Sequence, residues 1–241
     1  MTEGPLVRQS DHQSGHQSGR LPARDLVDVR LVAAIEAGGC AICRVRARAE
    51  RGMLDTTVAE RVLDLGFRAG LERDHAFCRP HVVALLVADR RASGILGSSI
   101  LFGAMIERRA GALRTALGVH GRRRRSKLAA ARGRPGCLVC GQGAQAVETA
   151  VHRLVERSAD PAWADVLRHI PFCMDDLVLL VIQGGDDPAL AVVADAQLTR
   201  LDDLRARLEG YAHHSAQDRR HLLTDAERSA ADDAARVLGG E

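Results

Sequence analysis

The segment Cys40-Ala41-Ile42-Cys43 is answered downstream by Phe77-Cys78-Arg79-Pro80-His81. Together they supply three thiols and one imidazole from two short segments, which is the donor chemistry of zinc. The arrangement returns as Cys137-Leu138-Val139-Cys140 and Phe172-Cys173-Met174-Asp175-Asp176, with Asp176 standing where His81 stood. All six cysteines fall in these motifs. A repeat that reproduces the Phe-Cys step and the intervening length constrains the fold more than any other feature, because each knuckle must bring its donors to one point.

Cys137 follows Cys40 by 97 positions in a chain of 241 residues, which predicts two related halves. The halves are read as 21–118 and 137–241, with a tail at 1–20 and a linker at 119–136. Only six aromatic residues are present, so Leu, Val and Ala must fill the interior, and a metal cross-link supplements a core of this size. Net charge is +3, too small to imply a polyanionic partner, and Lys127 is the only lysine. No charged-then-apolar leader and no run of about 18 apolar residues occurs, so the expectation is a soluble cytoplasmic protein with no membrane contact. In that reducing compartment thiols stay free or bind metal rather than forming structural disulfides.

The periodicity predicts an all-α fold. Residues 1–20 repeat His-Gln-Ser-Gly among polar residues and are read as a disordered tail. From Leu21 an apolar stripe of Leu26, Val29, Val32 and Ile35 predicts a helix with Pro22 in its first turn and Gly38-Gly39 at its end. A second helix is expected from Ala41 past Val62, breaking near Asp64 to Gly66. The chain then has about a dozen residues in which to return to the metal, as a short helix over Phe67 to Ala76 and an extended approach. Cys78 and His81 open a further helix, and Ile95 to Leu117 carries another.

The stretch Gly118 to Gly136, with Arg122 to Arg125, reads as a solvated interdomain linker. Nucleic-acid binding through that block is disfavoured, since no aromatic residues interleave with it as stacking platforms. Downstream, Asp160-Pro161 and Asp187-Pro188 are helix starts, the second opening a long amphipathic helix through Leu190, Leu198, Leu204 and Tyr211. Thr224-Asp225-Ala226-Glu227 is a capping box that opens the last helix.

Within each half the expected ligands form one set. Cys40, Cys43, Cys78 and His81 make a closed Cys3His site, the form of structural zinc, with Arg44 and Arg79 beside it. Cys137, Cys140 and Cys173 make the second with Asp176, a harder ligand; His169 or Asp175 are alternatives, as is a three-coordinate or empty site. Three thiolates plus Asp176 carry one more negative charge than three thiolates plus His81, so the second site is expected to be the more labile. Gly141-Gln142-Gly143-Ala144-Gln145-Ala146 imitates a dinucleotide motif but follows no strand, and is discounted. His213, His214 and His221 are read as the frayed end of the long helix, and His152 as ordinary surface or packing. There is no HExxH, GxSxG or P-loop, and no catalytic set is assigned.

Gly39 to Arg44, Ala76 to His81 and the repeated Cys137/Cys140 and Phe172-Cys173 unit resemble a bacterial family of domain-of-unknown-function proteins built from twin CxxC…FCxxH units. The resemblance runs on from Leu198 through the Thr224 capping box to Leu238-Gly239, leaving out the tail and the arginine linker. It implies an α-helical, metal-binding protein and nothing about activity; Asp176 departs from its histidine. The sequence reading is therefore a non-enzymatic cytoplasmic zinc protein, with one or two zinc ions per chain, that acts as an interaction or assembly module for protein partners. The alternative is a thiol-based redox or metal-handling protein carrying an iron–sulfur cluster or labile zinc.

Overall fold

The computed structural model describes residues 21–73, 77–92, 94–119, 123–126, 128, 136–216 and 218–240. Among these residues every regular element is helical and no strand occurs, as the apolar spacing predicts. Helix α1 (Leu26–Glu36) starts where the Asp25 carboxylate accepts the free N–H groups of Val27 and Asp28. Pro22 therefore lies ahead of the helix and not in its first turn. Its carbonyl accepts the indole N–H of Trp163 at 3.1 Å. At the other end Gly38 and Gly39 both take positive φ, 76° and 73°, a reversal that a Cβ would oppose. The reversal delivers Cys40 to the N-cap of α2 (Ala41–Thr56).

Helix α2 runs on into a π-helical turn (Thr57–Arg61), where the Thr57 hydroxyl donates to the Met53 carbonyl at 2.7 Å. Asp64 then caps α3 (Leu65–Arg73), accepting from Gly66 and Phe67, so this helix begins two residues earlier than Phe67. Helices α4 (Arg79–Ala92) and α5 (Leu96–Leu117) follow. The buried Asp89 of α4 takes the backbone N–H and hydroxyl of Ser98 at 2.6 and 2.7 Å, which caps the start of α5.

The later helices are α6 (Leu138–Ser158), α7 (Pro161–His169), α8 (Met174–Gly184), α9 (Pro188–His214) and α10 (Asp225–Gly239). Asp160 and Asp187 accept from Ala162 and Ala189, and the Thr224–Glu227 capping box closes in both directions. These starts are local chemistry and fall where expected. The tail at 1–20, Arg122, Lys127 and most of the linker lie outside the described residues; Arg123, Arg124 and Arg125 sit on an exposed helical turn.

Helices α2 and α6 pack against each other and run antiparallel. Ile42 and Cys43 share a core with Val151 and Leu154, whereas Leu54 shares one with Val139. The two CxxC motifs, each at the N-terminus of its helix, are thereby placed at opposite ends of the pair, about 24 Å apart for a helix the length of α2. The larger core buries Leu31, Ile42, Leu154, Trp163, Leu167 and Leu180 completely, drawing on both halves of the chain. Each such side chain contributes about 1.5–3 kcal/mol. The smaller core, with Leu54, Val62, Phe77, Leu85 and Leu101, lies under α4 and α5.

One charged contact joins the halves through the larger core. Asp28 of α1 is fully buried and takes the Arg157 guanidinium of α6, with Arg153 Nη1 at 3.3 Å and the Arg24 N–H at 2.8 Å. The Arg157 guanidinium lies over the Trp163 ring, 5.8 Å from its centroid. Among the described residues no helix is long and apolar enough to cross a membrane.

Candidate metal centres

The eight expected donors assemble into two clusters, but the partners are exchanged. Cys40 and Cys43 meet Cys173 and Asp176; Cys78 and His81 meet Cys137 and Cys140. Neither cluster is the set that a knuckle confined to one half would give. The cause is α2 with its π-helical extension, which carries the chain the whole length of the helix pair away from Cys40. It never comes back. Instead Cys78 and His81, at the start of α4, lie at the far end, where α6 begins with Cys137 and Cys140; residues 74–76 of the expected approach lie outside the described residues. Cys173 and Asp176, at the start of α8, meet the N-terminus of α2.

In the first cluster Asp176 Oδ2 stands 3.2 Å from Cys40 Sγ, 3.0 Å from Cys43 Sγ and 3.1 Å from Cys173 Sγ. Cys43 and Cys173 are 3.6 Å apart. All four residues are buried, Asp176 completely. A carboxylate among three thiols is a poor arrangement unless a proton or a cation joins it, because four acidic groups cannot all ionise together in a dry site. Asp176 Oδ1 has no hydrogen-bond partner, and the nearest guanidinium, Arg46, is 3.7 Å away. Arg44, expected beside the ligands, turns back to the Gly38 carbonyl, and Arg79 is exposed. Gly240, in the left-handed region at φ 82°, ends α10 directly over this cluster; a Cβ there would come 3.3 Å from Cys43 Sγ.

In the second cluster His81 Nδ1 lies 3.1 Å from Cys78 Sγ and 3.3 Å from Cys137 Sγ and from Cys140 Sγ; Cys78 and Cys140 are 3.7 Å apart. The other ring nitrogen of His81 faces the Glu50 carboxylate of α2 at 3.5 Å, the usual second partner of a ligating histidine. Glu50 reaches that position across Gly143 of α6. A Cβ at 143 would meet Glu50 Oε1 at 2.6 Å, so the second glycine of the discounted dinucleotide-like motif is there to make room for a carboxylate. Cys140 is exposed, and the other three residues of this cluster are partly buried.

Both clusters have the dimensions of a site for one ion. Zn–S bonds of about 2.3 Å give a tetrahedron with edges of about 3.8 Å. The sulfur pairs at 3.6 and 3.7 Å approach that edge, and all donor atoms in each cluster lie within 4.8 Å of one another. His169 hydrogen-bonds the Asp165 carbonyl on α7 and Asp175 is exposed, so Asp176 is the fourth donor of its cluster. His214 pairs with Glu227 at 3.0 Å, and His152 with Gln183 at 3.2 Å.

The thiols respond to this crowding. Burial pushes Cys43 far above the ordinary thiol range, with Asp176 and Cys40 adding to it. Desolvation and the same kind of neighbours push Cys173 and Cys140 up to about 12 each. Cys137 goes the other way: desolvation would raise it, but the Cys140 and Cys78 N–H groups and His81 outweigh that and lower it to about 7. Cys43 and Cys173 in the first cluster and Cys140 in the second thus hold protons that a bound cation must displace.

Protein-family models, curated proteins and solved structures offer no match to this chain, so the reading of both clusters rests on their own geometry.

Proposed function

We propose that the chain is a non-enzymatic zinc protein of the cytoplasm whose two metal ions hold a helical scaffold in shape for binding other proteins. The observation that carries this reading is the closure of both donor sets. Each could offer four ligands to one ion, three of them thiols, which would leave no corner of a tetrahedron for water or substrate. Three soft donors with one imidazole or carboxylate favour zinc over magnesium or calcium. An iron–sulfur cluster would spread its thiolates over several irons, whereas these donors converge on one point. The motifs' resemblance to a twin-knuckle bacterial family accords with this reading.

Cobalt substitution tests it. Co²⁺ in two closed, thiolate-rich tetrahedra gives intense visible absorption that azide or cyanide leaves unchanged. A spectrum that shifts on adding either anion would reveal an open coordination position and overturn the non-catalytic reading. Visible absorption by freshly purified, anaerobic protein, with iron as its metal, would replace zinc by a cluster.

A further inference from the structure

A cleft of about 500 Å³ opens along the junction of α1, α2 and α6, away from both metal clusters' ligands. On α2 its lining runs from Val45 to Thr56 at helical spacing and then crosses the π-helical turn to Arg61, so the cleft is elongated. Its apolar wall is aliphatic, with Leu31, Val45 and Met53, and contains no aromatic ring. Its floor is made of small residues. Ala49, Gly52, Ala146 and Ala150 add little bulk, and a Cβ at Gly52 would meet nothing within 4 Å.

The charge of this cleft is one-sided. Arg30, Arg48 and Arg61 line it, and no Asp or Glu does. Among the described residues none of the three is in an ion pair, although Arg46, Arg153, Arg157, Arg168 and Arg207 all are. Arg61 instead stacks on Phe67, 5.6 Å from the ring centroid, at the end of a π-helical segment, a distortion that is frequent at functional sites. Arg48 and Arg61 are separated by about 20 Å along the helix axis. That spacing does not converge on one small anion. It suits a ligand that is itself long, acidic along its edges and aliphatic along its face.

We infer that this cleft docks an acidic amphipathic helix of a partner protein, with the partner's aliphatic face on the small-residue floor and its carboxylates against Arg30, Arg48 and Arg61. The inference rests on the reading of the chain as an interaction module and names the surface and chemistry it uses. Helix-in-groove recognition needs an apolar trough with a charged rim, and both are present here. Single-stranded nucleic acid is the other long anion, and it would want stacking platforms that this wall lacks.

The test uses zinc-loaded full-length protein and three fluorescein-labelled probes read by anisotropy. The first is a helical peptide with Leu at i, i+3, i+4 and i+7 and Glu on both flanks, the second is the same peptide with Lys for Glu, and the third is oligothymidylate. The Glu peptide should bind at least about tenfold tighter than either other probe, and R30Q/R48Q should weaken it about tenfold, since two rim contacts of modest strength sum to that factor. A146W, which fills the floor, should weaken it further. Equal binding of the Lys peptide, tighter binding of oligothymidylate, or an unchanged affinity in R30Q/R48Q at full zinc content and native helicity overturns the inference. Such a result with an anion-insensitive cobalt spectrum would discard the cleft and leave the structural-zinc reading standing.

Discussion

Cys43 and Asp176 are 133 positions apart in the chain and 3.0 Å apart in the fold, measured from Sγ to Oδ2. The two metal clusters are therefore contacts between distant segments, and the substitutions that report on them group differently from those of a chain with one knuckle per half. Metal analysis of single and paired variants should expose the grouping. Cys78→Ser and Cys137→Ser should each remove one metal ion, and the pair together should still remove only one. Cys40→Ser with Cys78→Ser should remove both. If Cys78→Ser with Cys137→Ser leaves no metal, each half carries its own site and the exchanged pairing is wrong.

The order of metal loss should follow access. By its extra negative charge Asp176's set is expected to be the labile one, and the repeat groups Asp176 with Cys137 and Cys140. In the fold Asp176 is fully buried, has Arg46 at 3.7 Å and is roofed by Gly240, while the His81 cluster has the exposed Cys140. Chelator titration with alkylation and peptide mapping should modify Cys78, Cys137 and Cys140 before Cys40, Cys43 and Cys173. Modification of Cys40 ahead of Cys140 would count against this order.

The raised thiols set the pH dependence of metal loading. Cys140 and Cys173 at about 12 remain protonated at neutral pH in the metal-free protein, so loading must expel their protons. Affinity should rise as pH rises, by about tenfold per pH unit for each proton expelled, and fall as pH falls. Calorimetry of zinc binding in two buffers of different ionisation enthalpy should show net proton release. No difference between the buffers would mean that the sulfurs are already ionised.

The caps at Asp160, Asp187 and Thr224 were legible because a cap is a bargain between neighbours in sequence. Ligand identity was legible for the same reason. Pairing was not: two CxxC motifs offer the same chemistry to either partner, and only the continuity of α2, a length already readable from the apolar run past Val62, shows that the chain cannot return to Cys40. Pro22 misled because its fixed φ suits a first turn wherever that turn falls, and the Asp25 carboxylate decided where it fell. The Asp28–Arg157 pair left no trace, since two charged residues 129 positions apart carry no periodic signal.

That pair should matter to stability. Arg157→Ala leaves the Asp28 carboxylate buried without its main partner and should cost about 3 kcal/mol in denaturant unfolding with zinc in excess. Burial would raise the Asp28 carboxyl, but Arg157, the Arg24 N–H and Arg153 outweigh it and hold it below the ordinary carboxylate value. The stabilisation is therefore complete above the unfolded value of about 4 and is lost as pH falls through the lower folded value. Asp28→Asn should flatten that acid limb; an unaltered acid limb would show that the pair carries none of it.

Gly240→Val should disturb the buried cluster alone. The residue sits at φ 82°, and its Cβ would press on Cys43 Sγ at 3.3 Å. Spectra of the cobalt form should change for the Asp176 site and stay the same for the His81 site. Changes in both, or in neither, would disprove the roof.

The exchanged pairing also makes the two loops that metal ions would close nested. His81 to Cys137 spans 56 positions and lies wholly inside the 130 that separate Cys43 from Cys173. For a flexible chain the wider loop costs about 0.7 kcal/mol more to close, and closing the inner one first shortens the path that the outer one must bridge. During synthesis the inner site becomes completable once Cys140 has emerged and the outer only after Asp176, so a nascent chain carries Cys40 and Cys43 as an unfilled pair for most of its length. The inner donor set is thus complete in the chain before the first motif's partners exist.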